Sequence, residues 1–198
     1  MFRFPLEFHF PFFRIAPTIV VTDSSGAEVC FVRQKLFRLK EAVTVHRDSS
    51  QQTVLGTIKA DRIIDWSARY TFSDAEGQPF GAVGRRGAKS LWRSHYDIFS
   101  RADSKEVSMT IQEENPFAKI FDSLLGQIPI LGVLTAYLFH PRYAVRTADG
   151  TIVARLTKRA ALLEGKFTLE QLGDLQDEQS LEILLSCLMM LLLERNRG

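Results

Sequence analysis

Cysteine is nearly absent: the 198 residues contain Cys30 and Cys187 and no other. Two isolated cysteines exclude a disulfide-stapled scaffold and a Cys-rich zinc module. They read as buried free thiols of a reducing compartment, or as one disulfide between them. Histidine is also sparse, with His9, His46, His95 and His140 in unrelated contexts. No HExxH or Cys–His spacing exists, which excludes the recognisable zinc sites. Gly81-Ala82-Val83-Gly84 lacks the Gly-Lys-Ser/Thr ending of a phosphate loop. His95 and Asp97 form the one acid–base pair worth naming; two apart on a strand, they share a face, but a general base also needs a substrate cavity. The expectation is a chain with no catalytic residues, no cofactor and no metal, and not an enzyme.

Long apolar runs are missing too. The longest, Ile183 to Leu193, is 11 residues and contains Ser186, against the roughly 20 that a bilayer-spanning helix needs. No transmembrane span is expected. The opening MFRFPLEFHFPFFRIAP has no continuous apolar core, because Arg3, Glu7, His9 and two prolines interrupt it, so it is not a signal peptide. Net charge is small, +2, too little to argue a nucleic-acid partner. These absences point to a cytoplasmic chain, peripheral at a membrane if it meets one at all.

What is present is a strand pattern. Phe2, Phe4, Leu6, Phe8, Phe10 and Phe12 occupy every even position, with Arg3, Pro5, Glu7, His9 and Pro11 between them; period two is strand period. Pro5 and Pro11 lack amide donors, so residues 1–17 are expected to form an edge strand or an extended arm. The arm would cover a barrel seam or present an aromatic strip to lipid. From Thr18 a unit recurs: a short β-rich run, a turn, a second run. TIVVTDSSGAEVCFV, VTVHRDSSQQTVLGTI, ARYTFSDAEGQPFGAV, SHYDIFSRADSKEVSMTI and RYAVRTADGTIVARL all carry it, and FTLEQL starts a further strand. Asp149-Gly150 between alternating runs is the clearest hairpin signal. Many short antiparallel strands at regular spacing predict a sandwich or barrel.

The tail decides between them. Leu181 to Leu193 is apolar on all sides of a helix, which means either a membrane span or a helix buried on every side. At 1.5 Å per residue the continuous run is roughly 16 Å long, about half a bilayer's hydrocarbon thickness. Asp177, Glu178 and Ser180 at its start and Arg195 and Arg197 at its end suit the poles of a soluble helix. The sequence therefore predicts a mainly β fold: one domain over residues 1–198, an antiparallel barrel of about twelve strands enclosing a helix over residues 180–195.

FVRQKLFRLKEAVTVHRDSSQQTVLGTI, GRRGAKSLWRSHYDIF, ENPFAKIFDSLLGQIPILGVLTAYLFHPRYAV and the tail helix together resemble the LURP-one-related and phospholipid scramblase-like proteins, which share the Tubby carboxy-terminal-like fold. The resemblance implies a barrel around a central helix, often linked to phosphoinositides or other lipids, in a family where many members have no assigned activity. Three scramblase features are missing: a Pro-rich leader, a Cys-rich palmitoylation stretch and an acidic calcium loop. Lipid scrambling therefore ranks last among the functions considered.

Two basic clusters are candidate anion sites. Arg85, Arg86, Lys89 and Arg93 flank Trp92 in GRRGAKSLWRSHY, and Arg33, Lys35, Arg38 and Lys40 interleave with apolar residues in RQKLFRLK. Guanidiniums grip phosphate bidentately and Trp suits a membrane interface, whereas the same residues as solvated strand positions would only guard edges. Asn115 and Pro116 then open an amphipathic helix whose face is Phe117, Ile120, Phe121, Leu124 and Leu125. Gly126 and Pro129 break it into a helical hairpin over residues 115–140, which either closes one barrel mouth or docks a partner. The expected function is reversible recognition of anionic phospholipid or a phosphorylated headgroup by the Arg85–Arg93 loop; the alternative is a protein scaffold docking a partner through the hairpin.

Overall fold

The computed structural model describes residues 2–11, 18–33, 42–61, 68–86, 94–114, 141–159 and 164–195. Within them lie β1 (Leu6–Pro11), β2 (Thr18–Thr22), β3 (Glu28–Arg33), β4 (Val43–His46), β5 (Val54–Ala60) and β6 (Arg69–Ser73). There follow β7 (Pro79–Arg85), β8 (His95–Phe99), β9 (Met109–Glu113), β10 (Arg142–Thr147), β11 (Ile152–Arg159), β12 (Glu164–Gln171) and one helix, α1 (Asp177–Arg195). Every strand pairs with its sequence neighbours and β1 pairs with β12, closing a twelve-stranded antiparallel barrel. Closure removes the exposed edges that an open sheet would have to guard.

The period-two residues point inward. Leu6, Phe8 and Phe10 of β1, Ile98 of β8, Ile111 of β9 and Leu156 of β11 are all buried. The strand at the start of the chain is real, but it is neither an arm nor an edge: β1 lies between β12 and β2. Pro5 precedes it, and Pro11 is its last residue, opposite Glu164. Neither missing donor therefore falls inside the ladder.

The five recurring units are the hairpins β2–β3, β4–β5, β6–β7, β8–β9 and β10–β11. Their turns differ from the two-residue form. Around Asp149-Gly150 only Gly150 takes a positive φ, 91°, its N–H donates to the Thr147 carbonyl at 2.9 Å, and the ladder slips by one residue at Val145/Arg146. A longer turn with a bulge absorbs the strand twist here instead of a mirror-image tight turn. Gly26 repeats this geometry with φ 80°, while Gln51 takes the same role without being glycine, at φ 59°.

The helix begins before Ser180. The Gln176 N–H donates to Gln179 Oε1 at 3.0 Å and the Ser180 N–H donates to the Gln176 carbonyl at 2.9 Å. Gln179 thus acts as the reach-back half of a capping box, and Asp177 and Glu178 fill the first turn. Every residue from Ile183 to Leu192 is buried, in one cluster with the inward residues of the strands. The apolar helix fills the barrel, whose inward-facing strand residues cover its sides. Among the described residues no helix is long and apolar enough to cross a membrane.

Candidate functional site

An up-and-down barrel has two rims, and this chain uses them differently. The described hairpin turns all lie at one rim, and four of them are built on an aspartate that caps its own turn. At one, Asp74 Oδ1 accepts from the Gln78 N–H at 2.7 Å, and at the other three, hydroxyls also donate. Asp23 accepts from Ser25, Asp48 from Ser50, and Asp149 from Thr147 and Thr151. Those hydroxyl donors, with backbone amides behind them, hold all three carboxyls below the usual range. The turn rim therefore carries ionised aspartates, with Arg3, Arg47 and Arg101 beside them. The opposite rim receives the ends of β1, β3, β5, β7, β9 and β11 and the carboxy-terminal end of α1. The chain between β3 and β4, between β7 and β8 and between β9 and β10 joins strand ends at that rim, and residues 34–41, 87–93 and 115–140 of it lie outside the described residues.

The helix is pinned to one strand at both rims. Near the turn rim, Glu182 is 4% exposed and accepts from Ser100 Oγ at 3.1 Å. Burial raises its carboxyl above the usual range, against the Ser100 hydrogen bond. At the far rim, Glu194 Oε1 accepts from Tyr96 Oη at 2.9 Å and from Ser94 Oγ at 3.0 Å. Ser94 and Ser100 bracket β8. Twelve helical residues rise roughly 18 Å and six strand residues roughly 20 Å, so the two glutamates meet the two ends of one strand. Burial, and next the Glu194 charge, push the Tyr96 phenol far above its ordinary range; burial and the Glu113 carboxylate do the same to Tyr143.

The predicted anion loop divides at this rim. Arg85 is the last residue of β7 and stands opposite Tyr96, on the inward face shared with Val83. Its charge acts on the Tyr96 phenol inside the barrel. Arg85 is thus part of the polar lining of the mouth and not of a surface loop. Arg86 faces outward, its side chain 60% exposed, with Nε 3.2 Å from Asp97 Oδ2. The strand alternation that separates them is a property of the backbone, invisible in the adjacent letters RR. Lys89, Trp92 and Arg93 lie outside the described residues, as do Lys35, Arg38 and Lys40 and the apolar set Phe117, Ile120, Phe121, Leu124 and Leu125. Arg33 is exposed at the end of β3, opposite Thr18.

His95 and Asp97 do share an outward face. Asp97 Oδ1 is 3.4 Å from Nε2, and Gln112 Nε2 is 3.3 Å from Nδ1. Gln112 holds Nδ1, while Nε2 and Asp97 Oδ1 lie within ion-pair distance without a hydrogen bond between them. Among the described residues no group of three or more His, Cys, Asp or Glu is placed to hold a metal ion. Cys30 and Cys187 are free and buried, and burial pushes both thiols up to about 12. The sequence reading missed the Glu182 and Glu194 pins. Their only signal was that both acids bound the apolar run, and nothing in the sequence pointed to β8.

A profile of the LURP-one-related family matches residues 28–170. Among solved structures, a crystal structure of a protein from Arabidopsis thaliana superposes with a TM-score of 0.53 at 14% identity, covering 98% of this chain and 93% of that one. At that identity the likeness is one of fold. No curated protein matches.

Proposed function

This chain belongs to the LURP-one-related family, and from that premise we propose that it is a non-catalytic binding module. Its target on this reading is an anionic phospholipid or phosphorylated headgroup, met reversibly at the rim opposite the hairpin turns. The observation that carries the reading is the division of charge between the rims. The ionised Asp23, Asp48 and Asp149 turns occupy one rim. Basic segments containing Arg33, Lys35, Arg38 and Lys40, and Arg85, Arg86, Lys89 and Arg93, are joined to strands that end at the other. Near an anionic surface each Lys or Arg contributes about 1 kcal/mol, so Arg86, Lys89 and Arg93 give a gross ~3 kcal/mol, enough for weak docking. Acidic turns at the far rim would turn that rim away from the same surface. The reading puts the protein in the cytoplasm, peripheral at the membrane, and the two unoxidised thiols suit that compartment.

The test is flotation of the purified, detergent-free chain with neutral and anionic vesicles at low and physiological salt. Salt-sensitive flotation with anionic vesicles alone supports the reading, and Arg86→Gln combined with Lys89→Gln should reduce it without unfolding the barrel. A second reading, partner docking through the apolar residues Phe117, Ile120, Phe121, Leu124 and Leu125, rests on their joining β9 to β10 at the same rim. Apolar docking would persist as ionic strength rises, where headgroup binding fades. Protein that ignores every vesicle discards the lipid reading.

A further inference from the structure

The barrel assembles a basic row that the sequence scatters. Arg159 of β11 stands opposite Lys166 of β12, and Lys166 stands opposite His9 of β1. All three lie on the outward face, because their neighbours one residue along, Phe8, Phe10 and Phe167, belong to the core or pack on it. Strands are about 4.8 Å apart, so the three Cα atoms span roughly 10 Å across the wall. On β3, Arg33 lies opposite Thr18, two residues nearer the rim than Val20, the partner of His9. Arg33, Lys166 and Arg159 are exposed.

Arg159 and Lys166, both exposed and directly opposite one another, set two cationic side chains one strand spacing apart, a separation that one phosphate-bearing anion can bridge. The row is also held in place. Arg159 Nε donates to Thr168 Oγ1 at 2.8 Å, and Thr168 Oγ1 donates to Glu7 Oε2 at 3.0 Å. That bond occupies Nε and fixes the guanidinium plane, leaving its two terminal nitrogens outside it. The Glu7 carboxyl stands two register positions further from the rim, opposite Thr168. Behind the wall, Phe10 and Phe167 pack edge to face at 5.8 Å, with the Arg195 guanidinium 5.9 Å from the Phe10 ring. Strands braced in this way position side chains more sharply than a loop does.

We propose that Arg159, Lys166 and His9, flanked by Arg33, form a site for a phosphate-bearing anion on the outer wall. A guanidinium fork beside an ammonium suits a phosphate group, the fork for its planar bidentate contact and the ammonium for charge. The site is separate from residues 85–93 and does not depend on their role. Its ligand is either a soluble phosphate compound or the headgroup of a lipid, and the test distinguishes the two.

The full chain is titrated with inorganic pyrophosphate and followed by amide NMR, and in parallel floated with phosphatidylcholine vesicles with and without phosphatidic acid. The variants are Arg159→Gln/Lys166→Gln and, as a comparison, Arg86→Gln/Lys89→Gln, with the amide spectrum confirming that each is folded. The expected result is saturable shifts at the rim ends of β11, β12 and β1, weakened about tenfold or more by removing two charges from the row and unchanged in the comparison variant. If the row variant loses pyrophosphate yet still floats, the site takes a soluble anion and flotation belongs to residues 85–93. If it loses flotation while the comparison variant keeps it, the row is the lipid contact and the loop reading falls. Wild-type affinity in the row variant, or no saturable response in the wild type, overturns the proposal.

Discussion

Tyr96→Phe tests the register of the central helix. The substitution removes the hydroxyl that donates to Glu194 Oε1 and leaves Ser94 as a donor to the same oxygen. The ring is 1% exposed, so its volume and packing are preserved and the hydrogen bond is the variable. A hydrogen bond to a charged acceptor contributes about 1.5–3 kcal/mol. Ser94 still holds Glu194, and that carboxylate is only half-buried, so the expected loss is about 1–2 kcal/mol. With a urea slope of about 2 kcal/mol/M, the unfolding midpoint should fall by roughly 0.5–1 M. Hydrogen exchange should quicken in the last turn of α1 and leave its first turns unchanged, because local opening follows the lost contact. Ser100→Ala at the other end should do the reverse, loosening the first turns around Glu182. The two pins are roughly 18 Å apart along the helix, so the double variant should be additive within about 0.5 kcal/mol. An unchanged midpoint for Tyr96→Phe, or faster exchange at the wrong end of α1, would refute the two-pin account.

Leu188 is fully buried in the helix, so Leu188→Ala should cost about 2–5 kcal/mol in urea unfolding, whereas Leu172→Ala, at a residue 49% exposed, should stay within about 0.5 kcal/mol. Leu188→Asp should abolish folding by burying an unpaired charge; a folded, soluble variant would put the helix outside the barrel. At Gly56 an added Cβ would lie 2.5 Å from the Ser73 carbonyl oxygen of the adjacent strand, and backbone cannot step aside cheaply. Gly56→Ala should therefore lower stability by about 1–3 kcal/mol, measured by thermal or urea unfolding. Cys30 and Cys187 should ignore a thiol reagent at pH 8 in the native protein and both react once it is unfolded. Their folded values near 12, against 9.0 for an ordinary thiol, mean that their neutral form is favoured by folding. That contribution is complete below pH 9 and is lost as pH rises from 9 towards 12, so the unfolding midpoint should fall across that range.

Much of the fold was legible from local pattern. Period-two alternation fixes which face of a strand is buried, and the turn signal inside each of the five units fixes the pairing of its two strands. An apolar helix of that length has no stable place but the inside of such a barrel. Ten of the twelve strands sit in the five recurring units, and β12 overlaps the stretch FTLEQL read as a further strand but begins before it, at Glu164. The beginning of the chain went differently, because Pro5 and Pro11 suggest an edge by the rule that proline cannot donate. In three dimensions both fall outside the interior of the ladder, and that rule had nothing to act on.

The sequence by itself determined the composition of the walls and the plug, since burial of alternating and all-round apolar residues is a local demand that each segment states alone. Tertiary structure decided everything that depends on register around a closed ring. It turned Arg85 inward and Arg86 outward, set Glu182 and Glu194 against the two ends of β8, and brought His9 beside Lys166 across 157 positions of chain. Register is a sum of many pairings, each worth little on its own, and it becomes fixed only when β1 meets β12 and the ring closes around the helix.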